Sequence, residues 1–219
     1  MRKLLLFAFA LVVILNFLCT AGMGNAALTT IGTATYGSTN YNLIWDNDNT
    51  GNSLVWLNYT NGNWTNWTTQ TTWTASLESS LTISLLTGYS VTWTDSTWRL
   101  PATWGGTEGY NITTSEMGHL FYIELGNPAD YFSPFSPNTG IFENLLVQNY
   151  WSGTEHAGVG AYYFHMGGGS QNTHWKVSEI AGGMAVRSGD VSAVPIPGAV
   201  WLLGSWLLTM TGLRRKLRK

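Results

Sequence analysis

Short apolar runs separated by Thr-, Asn- and Gly-rich stretches fill the middle of the chain. Leu43-Ile44-Trp45 and Leu54-Val55-Trp56-Leu57 read as two strands around a polar turn. Aromatic and β-branched residues fit a pleated, half-buried surface, and Asn and Gly favour turns. Ala161 to Met166 reads as another strand, turning at Gly167-Gly168-Gly169 into His174-Trp175-Lys176-Val177. Met184 to Arg187 reads as a closing strand. One helix is well signalled. Thr113 and Glu116 have capping-box spacing, and Met117, Leu120 and Phe121 form an apolar face with Leu125 nearby. Gly126 can supply the left-handed stop, and Asn127-Pro128 blocks continuation. His119 is then expected to face away from the apolar stripe. A second helix is placed near Trp67 to Leu86, against the preference of its many threonines. The expected class is α+β: short antiparallel strands, one or two helices and long loops.

The ends carry a different pattern. Residues 1–26 read as a signal peptide. Arg2 and Lys3 precede an unbroken apolar run from Leu4 to Leu15, and small residues lead to a cleavage point between Ala26 and Ala27. At the other end, residues 194–219 begin Val194-Pro195-Ile196-Pro197-Gly198. They continue as an apolar stretch to Leu213 and finish in Arg214, Arg215, Lys216, Arg218 and Lys219. Residues 198–213 as a transmembrane helix would reach about 24 Å, short of a hydrocarbon core of about 30 Å, so flanking residues or bilayer thinning must help. The basic tail is expected to stay cytoplasmic, leaving residues 27–193 outside.

Charge sharpens this division. Arg99, Lys176 and Arg187 are the only cations of the middle, against all twelve acids, a net charge of −9. Such a surface cannot neutralise phosphates, so no nucleic-acid partner is expected. The single cysteine, Cys19, lies in the leader. A mature chain without it has no disulfide, no thiolate zinc ligand and no cysteine nucleophile.

Two resemblances follow from ordered motifs. The stretch VPIPGAVWLLGS with its basic terminus resembles the PEP-CTERM sorting signal in a VPxPxA-like variant, departing at Ile196 and Gly198. The resemblance implies a Gram-negative bacterium that makes exopolysaccharide, with signal peptidase and an exosortase-like enzyme as processing partners. The middle carries Trp98-Arg99-Leu100-Pro101, Gly109-Tyr110-Asn111, Ser115-Glu116-Met117-Gly118-His119-Leu120, Glu124-Leu125-Gly126-Asn127, Tyr150-Trp151-Ser152-Gly153-Thr154-Glu155 and Ala185-Val186-Arg187, in that order. This layout is similar to the Lcl C-terminal domain family (DUF1566). The resemblance implies a C-type-lectin-like domain over residues 27–193, with no established enzymatic activity and no cofactor. A relative in a collagen-like adhesin is associated with sulfated polysaccharide. The expected function is therefore an exported surface or extracellular-matrix protein, transiently anchored in the inner membrane, whose non-catalytic domain contacts glycan or exopolysaccharide.

Candidate chemistry is sparse. Trp64, Trp67 and Trp104 sit among Thr, Asn and Gly, where indole faces could stack on sugars and amides or hydroxyls bond their edges. The rival reading packs such tryptophans into the core, and Trp98, Trp151 and Trp175 are assigned there. Asp46 and Asp48, in Asp46-Asn47-Asp48-Asn49-Thr50-Gly51, resemble the start of a calcium loop, but Leu57 stands where a closing Glu belongs. An Asn/Asp-rich hairpin turn explains the same residues. Glu155 and His156 offer a rival secreted hydrolase or metal-dependent enzyme, without a supporting motif. A purely structural membrane-anchored domain is the third alternative. Glu116 and Glu124 are too far apart along a regular helix for paired-carboxylate glycoside cleavage.

Overall fold

The computed structural model describes residues 28–130 and 136–193. It corrects the expected α+β, C-type-lectin-like class. The domain is mostly a nine-stranded mixed sheet with two short helices. The strands are β1 (Thr29–Tyr36), β2 (Thr39–Asn49), β3 (Asn52–Thr65), β4 (Leu81–Leu85), β5 (Tyr89–Trp93), β6 (Asn149–His156), β7 (Gly160–His165), β8 (Ser170–Trp175) and β9 (Ala181–Ala193). Their order is β4-β1-β2-β3-β9-β6-β7-β8, with β5 branching onto β9. Helix α1 spans Trp67–Ser80. Helix α2 spans Glu116–His119 and runs into a π-helical turn, Leu120–Glu124. The sheet is mixed because β6 meets β9 in parallel at Tyr150 and Gly182, while the other ladders are antiparallel.

The strands are longer than expected because polar segments that resemble turns continue as paired backbone. The Thr- and Asn-rich second half of β3 shifts register against β9 between Leu57 and Thr60, and again between Asn61 and Thr65. Such bulges let an irregular strand keep its ladder. The 13-residue β9 pairs with β3, β5 and β6 along its length. The expected closing strand is thus the hub of the sheet.

Alternation along β2, β3 and β9 buries both faces of the sheet. Ile44, Leu54, Trp56, Met184 and Val186 pack with Met117, Leu120, Phe121, Tyr150 and Phe164. Leu43, Val55, Leu57 and Ala185 pack on the other side with Ile31, Leu77 and Trp98. Helix α1 begins under an Asn66 cap, which accepts from the Thr69 amide at 2.9 Å. It stops at Ser80, short of the expected Leu86, because residues 81–85 pair with β1 instead.

Helix α2 starts later than the capping box predicts. Ser115 is the cap, its Oγ accepting from the Gly118 amide at 3.1 Å. Gly118 permits close docking, since a Cβ there would run into the Ile112 carbonyl. The π-helical turn ends at Gly126, whose φ of 63° makes the left-handed stop.

Among the described residues, no helix is long and apolar enough to cross a membrane. The expected signal peptide, Ala26 and Ala27, and the whole 194–219 segment with its expected transmembrane helix lie outside the described residues.

Candidate functional site

The motif Trp98-Arg99-Leu100-Pro101 sits where the chain crosses β9. The amide and carbonyl of Arg99 both bond Val186, at 3.0 and 2.9 Å. This anchors a guanidinium that is forked onto Glu116. Nη1 donates to Oε2 and Nη2 to Oε1, both at 2.8 Å. Arg99 Nε also donates to Asp95 Oδ2 at 3.0 Å, and Nη2 to Ser188 Oγ at 3.2 Å. Glu116 is fully enclosed, and its Oε2 also accepts the Ala102 amide at 2.6 Å. The carboxylate expected to close a capping box therefore holds an arginine. Bidentate, charge-assisted pairing of this kind fixes both planes.

This network floors a cleft of about 550 Å3. Asn52, Thr71, Thr154 and Ser188 contribute polar walls, and Trp104 stands beside it with half its surface exposed. The Trp104 loop is tied to β6: the Thr103 amide donates to Thr154 Oγ1 at 2.8 Å, and the Gly153 amide to the Pro101 carbonyl at 2.8 Å. Asp95 would be raised by its burial, but the Ser188 amide and hydroxyl together with Arg99 hold its carboxyl below the usual value.

The other predicted tryptophans divide. Trp64 is exposed and donates to Gln148 Oε1 at 3.1 Å. Trp67 is half-buried, its indole N–H spent on the Ser152 carbonyl at 2.8 Å and its ring covered by Lys176 Nζ at 4.9 Å. Trp98 and Trp151 are core residues, as expected. Trp175 is not: it is 68% exposed, beside a second groove formed with His156, Val159, Thr173 and His174. It closes β8 opposite Gly160 of β7, so no side chain of its ladder partner covers it. Glu155 and His156 have separate partners. Glu155 pairs with Lys176 at 2.9 Å, and His156 Nδ1 lies 3.0 Å from the Tyr162 hydroxyl. Arg187 reaches Glu78 at 2.6 Å and stacks 4.6 Å from the Trp93 ring centroid.

The calcium candidate also separates. Asp48 faces solvent, whereas Asp46 is fully buried. The expected hairpin forms, joined by Thr50-Gly51. Asp46 instead meets His119 and Glu124, with one ligand atom from each lying within 4.8 Å of the others. His119 Nε2 is 3.4 Å from Glu124 Oε1. The π-helical turn brings these residues, five apart, together. A regular helical reading turns His119 outward and misses the group. Burial, first, raises the Asp46 carboxyl, against hydrogen bonds from Asn49 and Trp56 and the nearby His119. Burial also raises Glu124, aided by the charge of Asp46.

The sorting residues Val194, Pro195, Ile196, Pro197, Gly198, Arg214 and Arg215 lie outside the described residues. No family model, curated protein or solved structure matches this chain.

Proposed function

We propose that this is an exported surface or matrix protein of a Gram-negative bacterium, whose non-catalytic β-domain holds a neutral sugar unit in the Arg99 cleft. The observation that carries the glycan reading is the pairing of half-exposed Trp104 with a fixed polar floor, Arg99 and Asp95, in a cleft of about 550 Å3. An aromatic face offers stacking to a sugar ring, and the Asn52, Thr71 and Thr154 walls offer bonds to its hydroxyls above a floor that the Arg99 fork keeps rigid. The net charge of −9 on residues 27–193 disfavours an acidic or sulfated chain. Export, exosortase-like sorting and the Lcl C-terminal domain reading rest on the sequence motifs at the ends and in the middle.

The test is retention of the purified mature protein on the producing cell's neutral exopolysaccharide. Trp104→Ala is expected to lower retention about tenfold, which corresponds to about 1.4 kcal/mol of lost stacking. Trp67→Ala, which removes a packed indole, should act through stability instead. Unchanged retention by Trp104→Ala would overturn the cleft assignment. Full-length protein in the cytoplasmic fraction would overturn the export reading.

A further inference from the structure

We propose that Asp46, His119 and Glu124 bind one first-row divalent cation, of the Zn2+ class, which clamps the β2–β3 hairpin to the α2–π turn. Asp46 is fully buried, and the side chains of His119 and Glu124 are 13% and 2% exposed. Asp46 Oδ1 is buried without a hydrogen-bond partner, and His119 Nε2 and Glu124 Oε1, buried beside it, have only each other, at 3.4 Å. All three atoms can ligate a cation, and the single proton an Nε2–H would supply still leaves a carboxylate oxygen of the group without a donor. Buried polar atoms are normally paired, so a convergent group of ligand atoms short of donors points to an absent partner of positive charge.

The surroundings fit a ligand set. Asp46 Oδ2 is held by Asn49 Nδ2 at 2.8 Å and Trp56 Nε1 at 3.1 Å, which leaves Oδ1 as the free ligand atom. Such outer bonds orient metal-binding carboxylates. Asn49 Nδ2 also donates to the Glu116 carbonyl at 3.1 Å, fixing the amide so that Asn49 Oδ1 is the acceptor left over. That oxygen is likewise buried and unpartnered, adjacent in the same turn. One imidazole nitrogen with carboxylate oxygens suits a borderline ion of four to five ligands better than Ca2+, which takes six to eight oxygens. The site shares no ligand atom with the Arg99 cleft, so either can fail alone.

The experiment uses the full mature chain, stripped with chelator and then exposed to Zn2+, Mn2+ or Ca2+. One equivalent of Zn2+ per chain by elemental analysis after desalting is expected, with the thermal midpoint raised by several degrees. Bound Co2+ should show the visible absorption of a four- or five-coordinate site. Asp46→Asn, Glu124→Gln and His119→Gln should lose both the equivalent and the midpoint response. In chelator, Asp46→Asn and Glu124→Gln should melt no lower than the parent, because each removes a buried carboxylate that lacks a cation. No stoichiometric Zn2+ in the parent, or undiminished uptake by folded Asp46→Asn and His119→Gln, overturns the site. A Glu124→Gln variant that melts lower than the parent in chelator also overturns it, in favour of a metal-free Glu124–imidazolium pair.

Discussion

Two ionic clusters meet at Glu116 and are satisfied in different ways. The Glu116 carboxylate enters the Arg99 fork, where guanidinium, Asp95, Ser188 and the Ala102 amide share their bonds among themselves. Its carbonyl accepts from Asn49, which borders the Asp46–His119–Glu124 group, where Asp46 Oδ1 is unpartnered and His119 and Glu124 meet at 3.4 Å. Both lie against the same central strands and the same short helix. The first is closed by protein alone and stiffens the cleft from beneath. The second has donor capacity missing and is complete with a cation. Buried charge is therefore a poor guide to function until each atom has been paired off.

The largest expected effect breaks the closed cluster. Arg99→Met keeps the length of the side chain but leaves Glu116 enclosed with a single amide donor. Removing one partner of a buried pair costs about 3–5 kcal/mol; with Arg99 partly open to solvent, about 3 kcal/mol is expected. Urea unfolding at neutral pH measures it. A loss below about 1 kcal/mol would mean that the fork is a surface pair in energetic terms, and the contrast between the clusters would fall.

A middle-sized effect comes from the short helix that serves both. Ser115→Ala removes the acceptor for the Gly118 amide and is expected to cost about 1 kcal/mol. Thr113→Ala, at the position where the sequence pattern places the cap, is expected to change stability by no more than about 0.5 kcal/mol. Equal losses would restore Thr113 as a cap of this helix.

That helix also shows what the sequence makes legible. Met117, Leu120 and Phe121 announce a buried helical face, and Gly126 announces its end. The hairpin around Thr50-Gly51 and the closing strand are readable from apolar runs and turn residues. The length of β3 and β9 is not, because Thr and Asn in a bulged ladder look like loop until the partner strand is known. The exposure of Trp175 goes with Gly160 as its ladder partner, which is a matter of strand pairing and not of local pattern. Asp46 is legible as a candidate ligand, but its companions are not: His119 and Glu124 meet through a π-helical turn, and a 3.6-residue period sends them apart. Of the tryptophans offered for glycan contact, local composition cannot tell the open Trp104 from Trp67, whose ring lies under Lys176.

The smallest effect sharpens the comparison through acid. Asp95 is held below its usual value because the Ser188 donors and Arg99 outweigh its burial. A carboxyl lowered in the folded state binds fewer protons there than in the unfolded chain. Its contribution is therefore fully present above about pH 4 and is lost as the pH falls through the folded value. With Asp95 about one-third exposed, solvent screening limits that contribution to roughly 0.5 kcal/mol. Asp95→Asn should accordingly flatten the parent's loss of stability between about pH 4 and pH 2, measured by urea midpoints at fixed ionic strength. It should leave Zn2+ uptake at one equivalent, since Asp95 bonds Arg99 and Ser188, in the closed cluster. An unchanged acid slope would show that Asp95 is held by geometry alone, and a lost zinc equivalent would show that the two clusters act as one.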